Sequence, residues 1–341
     1  MPRAAASLAW GIIGTGGIAA DFARALHGSK RCRIASVCGS SPEKAAQFAR
    51  RFKVPRAARS LEELCGDPEV QAVYVATPHP LHEPHTLAAI DAGKHVLCEK
   101  PLAMDAASAE RMIDAARRRG TFLMEAFMYR CHPLVRELAA RLAQGEIGEV
   151  RHVRADFGFR TERNPASRLY APELGGGAIL DVGCYPMSLA RLVAGVAQGG
   201  QFAEPVRLAG SGFIGPLGAD ELASAELTFA SGLTAQLTCA VRHAVGTRVV
   251  IFGERGRIVL PNPWLPEGTR RGKASSLVVH ADGKDVRAVE VRAQAASYAL
   301  EAELVADTIP AQEAPWPAMI WADTLGNMRA LDAWRAATTS G

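Results

Sequence analysis

The sequence predicts two domains. The first is an N-terminal, doubly wound α/β domain of the Rossmann dinucleotide-binding type, and the second is an open-faced, mostly antiparallel β-sheet. Three observations carry this reading. The first third of the chain alternates short apolar runs with helical patterns. A glycine-rich turn, Gly14-Thr15-Gly16-Gly17-Ile18-Ala19, directly follows the first apolar run. Beyond residue 150 the apolar pattern switches to period two.

In the first third, Leu8–Ile13, Arg33–Cys38, Ala72–Ala76, His95–Cys98 and Phe122–Met124 read as strands. Ile18–Leu26, Pro42–Phe52, Leu81–Ala92 and Asp105–Arg119 read as helices. Strands alternating with helices predict a parallel sheet. The strand segments are apolar throughout, as expected when helices cover both faces. From Val150 onward, Val153, Ala155, Phe157 and Phe159 alternate with Arg154, Asp156 and Gly158. Ala223, Ala225, Leu227 and Phe229 do the same, as do Leu233, Ala235, Leu237, Cys239 and Val241. Period two with one apolar face predicts a sheet open on its other side, with about eight strands between Arg151 and Arg292. Ser231-Gly232, Arg255-Gly256 and Asp282-Gly283 supply turns, and Pro261–Gly272 reads as an exposed loop. Two helices, Ala295–Thr308 and Pro317–Ala336, close the chain. The division falls at residue 125, with domains at 1–125 and 126–341.

The 341 residues are 48% hydrophobic and 22% charged, with a net charge of +4. That length suits two domains and that balance suits a folded globular chain. Basic residues are interspersed with acidic ones, so no nucleic-acid or membrane partner is expected. The longest basic run, Arg117–Arg119, ends a helix, where cations are favourable. No stretch reaches the ~20 apolar residues of a membrane span. The segment Met1–Trp10 carries no leader signal. Seven cysteines without a CxxC pair predict reduced thiols and a cytoplasmic protein.

The glycine turn is the first functional candidate. Gly14 permits a tight turn and Gly16 lets the backbone approach a pyrophosphate. The small Ala19 lets helix and strand pack closely. With Gly17 and Ile18 opening the helix, unpaired N–H groups and a partial positive charge face the phosphates. The second strand ends Val37-Cys38-Gly39-Ser40-Ser41 with no carboxylate to grip a ribose 2′-hydroxyl. Ser40, Ser41 and nearby Lys44 leave room for a 2′-phosphate, so NADP is expected over NAD. Ser41 also suits the N-cap of the helix starting at Pro42. Thr77 and Pro78 follow the third strand, at the sheet end where cofactors lie. His82 is read as facing cofactor or substrate. His79, His82 and His85 lack carboxylate or thiolate partners at matching spacing, so no metal site is expected. The fourth strand ends Cys98-Glu99-Lys100-Pro101, placing a lysine where it can act on a bound hydroxyl.

GIIGTGGIA, ATPHPLH, AGKHVLCEKP and GGGAILDVGCYP together resemble the glucose-fructose oxidoreductase/inositol dehydrogenase (Gfo/Idh/MocA) family over nearly the whole chain. The segments Met124–Arg130 and Arg168–Ala178 are most similar to its branch of dimeric dihydrodiol dehydrogenases, xylose dehydrogenases and glucose-fructose oxidoreductase. The resemblance implies that Lys100 is the catalytic lysine of the EKP motif. It implies that Asp181 and Tyr185 form the D-x-x-x-H/Y motif, with Tyr185 as general acid/base. Glu99, Arg130 and Arg168 are implied to contact cofactor or line the pocket. One departure is Gly39-Ser40, where many relatives carry Ser-Arg. The implied activity is hydride transfer between NAD(P) and a CH–OH group of a sugar, polyol or trans-dihydrodiol. A free phenol titrates near ~10, so Tyr185 needs a cation such as Lys100 to work near neutrality. The alternative is a cofactor-sensing regulator without turnover, which would not need Lys100, Asp181 and Tyr185 together. The open sheet face suggests a homodimer or higher homo-oligomer.

Overall fold

The computed structural model describes residues 7–266 and 274–339. Residues 1–6, part of the stretch searched for a leader, and 267–273, part of the Pro261–Gly272 loop, lie outside the described residues. The strands are β1 (Leu8–Ile13), β2 (Cys32–Cys38), β3 (Arg56–Ala58), β4 (Ala72–Val75), β5 (His95–Glu99), β6 (Leu123–Ala126) and β7 (Val150–Gly158). They continue with β8 (Pro205–Ile214), β9 (Asp220–Phe229), β10 (Thr234–Ala240), β11 (Val249–Gly253), β12 (Gly256–Leu260), β13 (Ala274–Ala281) and β14 (Arg287–Arg292). The helices are α1 (Gly17–Leu26), α2 (Pro42–Phe52), α3 (Leu61–Gly66), α4 (His82–Asp91) and α5 (Ala106–Arg119). They continue with α6 (Met128–Cys131), α7 (Pro133–Ala143), α8 (Cys184–Ala197), α9 (Ser297–Thr308) and α10 (Trp321–Thr339).

The chain divides into two compact units, and no single cut separates them. The first comprises Met1–Ala103, Ala107–Cys131 and Ala295–Thr324; the second comprises Met104–Ala106, His132–Gln294 and Leu325–Gly341. Cutting only after residue 125 therefore misassigns α6, α9 and the first turn of α10. α6 lies just past that cut and α9 follows the sheet domain in sequence, yet Met128 of α6 and Tyr298, Ala302 and Val305 of α9 bury their side chains in the first unit's core.

The first unit holds a six-stranded sheet in the order β3-β2-β1-β4-β5-β6, and every pairing is parallel. The order reverses between β1 and β4, which makes the strand ends there the natural ligand crevice. All residues of β1 and β4 are buried, as their unbroken apolar runs require. β3 and α3 escape sequence periodicity because each is too short to show one. In the core, Phe22 stacks on Tyr74 at 4.0 Å between ring centroids, and Trp10 meets Phe22 edge-on at 5.4 Å. Tyr298, Ala302 and Val305 of α9 join the same cluster.

The second unit holds an eight-stranded sheet in the order β14-β13-β12-β11-β7-β10-β9-β8. Only β7 and β10 pair in parallel; the other pairings are antiparallel. The alternation resolves as expected: Ala223, Ala225, Leu227, Phe229, Ala235, Leu237 and Cys239 are all buried. One sequence expectation fails here and another is refined. Pro172–Ala197 is long and apolar enough by composition to cross a membrane, but its most apolar window is wholly buried inside the protein. It carries α8, the central helix of this unit. Within the supposedly exposed Pro-rich loop, Trp264 is fully buried; its indole N–H donates to the Asp156 carbonyl at 2.9 Å.

A carboxyl sits in the first unit's core without hydrogen-bond support. Glu301 of α9 is fully buried, and neither carboxyl oxygen has a hydrogen-bond partner among the described residues. Burial and the neighbouring Glu99 carboxylate hold its pKa well above the ordinary range, so it keeps its proton when folded. An unfolded Glu ionises above ~4.3. The raised folded pKa therefore means that stability is lost as pH climbs above that value. Glu301→Gln removes the ionisable proton while keeping the shape. Calorimetry should give a higher Tm than wild type near pH 8, with the difference shrinking as pH falls toward ~4. A pH-independent difference would contradict this assignment.

Candidate functional site

In the first unit the glycine turn leaves open backbone at the start of α1. Gly14 has φ 111°, and a Cβ there would lie 2.4 Å from the Ala76 carbonyl oxygen. Only glycine lets this turn pass so close to the end of β4. Above Gly16 and Gly17 a Cβ would meet nothing within 4 Å, leaving open space over the start of α1. That helix has Gly16 as N-cap, no side-chain cap and no acidic residue in its first turn. Its leading N–H groups are thus left for an anion, and Ile18 continues the turn half-exposed.

At the end of β2 the Lys44 ammonium donates to the Ser40 hydroxyl at 3.1 Å. Ser41 caps α2, its hydroxyl accepting from the Lys44 amide at 3.4 Å. The helix cap thus presents a hydroxyl and a cation together, a donor set matched to a phosphate. Open backbone over Gly16–Gly17 and this pair beyond β2 fit a dinucleotide bearing a 2′-phosphate. Thr77 and Pro78 lie half-buried after β4.

His82 does not face a ligand. It is fully buried, with Nδ1 2.9 Å from the Pro101 carbonyl and Nε2 2.9 Å from the Thr77 carbonyl. Burial pushes its pKa down to about 4, so the ring is neutral and donates to one carbonyl at a time. It is a strut between the loops after β4 and β5. Glu99 also turns inward: Tyr74 donates to its carboxylate, which accepts the Lys100 amide at 3.3 Å. Lys100 itself is half-buried at the strand end.

Arg130 is likewise withdrawn from any pocket. Its side chain is fully buried and pairs with Asp323 at 2.5 Å, and it donates to the Pro317 carbonyl at 2.6 Å. A charge out of water needs such partners. Sequence reasoning assigned it to the cofactor because the Asp lies far along the chain, in α10.

In the second unit, Asp181 lies in a π-helical turn, Ile179–Gly183, leading into α8; such turns are frequent at functional sites. Arg168 pairs with Asp181 at 2.9 Å, bringing together two residues expected at the site. The triple glycine before it makes a tight bend. Gly177 has φ 120°, and a Cβ there would lie 2.0 Å from Asp220 Oδ1. Asp220 in turn accepts the Ile179 amide at 2.7 Å, capping the start of the π turn. Tyr185 is nearly buried. Phe157 meets its ring edge-on at 5.2 Å, and Trp264 meets it at 6.0 Å. Phe157 and Trp264 stack on each other at 5.7 Å. Sequence reasoning placed Phe157 only on the core face and overlooked Trp264. A lone tryptophan between prolines was the available signal, since so large a side chain is rarely left in water.

Residues 8–127 match the oxidoreductase family with the NAD-binding Rossmann fold (GFO_IDH_MocA), and residues 135–259 match the GFO/IDH/MocA C-terminal domain. A trans-1,2-dihydrobenzene-1,2-diol dehydrogenase from Mus musculus is 33% identical over 281 residues, covering 82% of this chain and 80% of that protein. An uncharacterized oxidoreductase of Rhizobium meliloti is 36% identical over 331 residues, covering 95% of each. Among solved structures, a 3-ketoreductase from Actinomadura kijaniata in complex with NADP and TDP-benzene superposes with a TM-score of 0.85. It shares 28% identity over 97% of this chain and 98% of that one. An aldose-aldose oxidoreductase from Caulobacter crescentus has a TM-score of 0.83 at 25% identity, covering 98% of each. With the family matched across both units, the chain belongs to the GFO/IDH/MocA oxidoreductases, enzymes built on an NAD-binding Rossmann domain and a mostly antiparallel sheet domain.

Proposed function

We propose that the protein is an NADP-dependent dehydrogenase or reductase acting on a CH–OH group of a ring-shaped sugar, polyol or trans-dihydrodiol. The observation that carries this reading is the setting of Tyr185. Its phenol stands at the start of α8, one turn after the Arg168-paired Asp181, against Phe157 and Trp264. A phenol so held can give or take one proton at a fixed atom, and Phe157 offers an aromatic face to a ring. The relatives named as dihydrodiol dehydrogenase, 3-ketoreductase and aldose oxidoreductase support the same substrate class.

Each group has a separate task. The bound nicotinamide supplies or accepts the hydride. Gly14, Gly16, Gly17 and Ile18 hold the pyrophosphate, and Thr77 and Pro78 line its path. Ser40 and Lys44 hold the 2′-phosphate. Tyr185 moves the hydroxyl proton. Lys100 stabilises negative charge developing on the reacting oxygen. Asp181 and Arg168 fix the turn that carries the tyrosine.

Tyr185→Phe removes one hydroxyl and leaves the ring packing. In an absorbance screen of sugars, polyols and dihydrodiols, turnover should fall by ~10²–10⁴ while NADPH affinity and Tm stay near wild type. Lys100→Met should behave alike. Full activity in either variant overturns its assigned role, and a wild type inert to every alcohol favours the regulator reading. Lys44→Ala should weaken NADPH binding about tenfold, the low end for an exposed charge-assisted contact. NADH binding should stay unchanged in that variant; an equal loss for both cofactors would show that Lys44 does not read the 2′-phosphate.

A further inference from the structure

The chemistry proposed above depends on where Lys100 is held, and the inference that follows rests on that reading. Lys100 follows β5 in a short turn, Glu99–Leu102, whose backbone is fastened from several elements. Glu99 takes the Lys100 amide and His82 reaches the Pro101 carbonyl. The Leu102 carbonyl accepts from the Cys98 thiol at 3.8 Å, and the Leu102 amide is buried. It donates to Glu125 Oε1 at 2.9 Å. Glu125 lies on β6, is 2% exposed, and touches no surface that a substrate could reach. We infer that Glu125 is a positioning residue for Lys100: from the neighbouring strand it grips the far side of the lysine turn.

The surroundings of Glu125 show why a carboxyl serves here. Burial and the nearby Asp323 raise its pKa to about 7, against the pull of the Thr324 hydroxyl, the Leu102 amide and the Arg130 guanidinium. The other ionisable groups facing it are Cys98, beside it on β5, and Glu99 at the end of that strand. Arg130 and Asp323 pair with one another, so neither is a full counter-ion for Glu125. An ionised carboxylate accepts a backbone N–H more strongly than a neutral acid does. The hold on the turn therefore tightens as pH rises through neutrality. A residue chosen only to fill space would show no such dependence.

The test uses the full-length enzyme with Glu125→Leu, which removes the acceptor, and Glu125→Gln, which keeps a neutral one. The first readout is hydrogen exchange at the Leu102 amide. Near pH 6 exchange should quicken about tenfold or more in Glu125→Leu and stay near wild type in Glu125→Gln. Wild-type protection should grow between pH values near 6 and 8 beyond the change seen in Glu125→Gln. The second readout is kcat with whichever alcohol the wild type oxidises. It should fall about tenfold in Glu125→Leu and recover in Glu125→Gln, with NADPH affinity unchanged in both. Unaltered Leu102 exchange in Glu125→Leu overturns the inference, as does faster exchange with undiminished kcat. Should Glu125→Leu fail to fold, the pH dependence of exchange in wild type against Glu125→Gln decides it. Should the wild type turn over no alcohol, the functional reading fails, and exchange alone judges whether Glu125 holds the turn.

Discussion

A buried backbone polar group must find a partner, and the turn after β5 is where this rule organises the first unit. Three of its peptide groups take a side chain from a different element: Glu99 from β5, His82 from α4 and Glu125 from β6. Each recruited group then needs support of its own. Tyr74 donates to Glu99, and Thr77 offers His82 a second carbonyl. The result is a lysine whose backbone is held on several sides. Precise placement of this kind is what positioned charge stabilisation in catalysis requires.

The second unit solves a similar problem by different means. Tyr185 is held by ring contacts with Phe157 and Trp264, and the turn before it by a charged pair, Asp181 with Arg168. The bend into that turn works only because Gly177 has no side chain to strike Asp220. A few ionisable side chains in this protein are turned wholly inward. Arg130 with Asp323 and the unsupported Glu301 carry no group toward solvent at all. Glu301 shows that such burial has a cost, since a carboxyl without hydrogen bonds is tolerated there only in its neutral form.

Much of the frame was legible in the residues. The glycine turn, the apolar strands of the first sheet and the period-two strands of the second each depend on local spacing, which a sequence displays. The proline-rich segment misled because proline marks a loop without saying whether it is exposed, and Trp264 packs inward. Pro172–Ala197 has the composition of a span but is a buried core segment, and composition alone does not tell the two apart. His82, Glu99 and Arg130 were read toward the cofactor because motifs give positions and not side-chain directions.

The sequence by itself determined the two sheet types, the phosphate-binding turn, the hydroxyl and lysine after β2, and the candidates Lys100, Asp181 and Tyr185. The sheets, the turn and the pair after β2 follow from period, turn chemistry and neighbours a few residues apart, whereas the three candidates follow from the likeness of their motifs to a family. Only the tertiary structure decided that α9 and the start of α10 belong with the first unit, and that His82, Glu99 and Arg130 face inward. It alone paired Glu125 with Leu102 and set Phe157 and Trp264 around Tyr185. These contacts join residues far apart in the chain, and burial, which local spacing does not encode, chooses their partners.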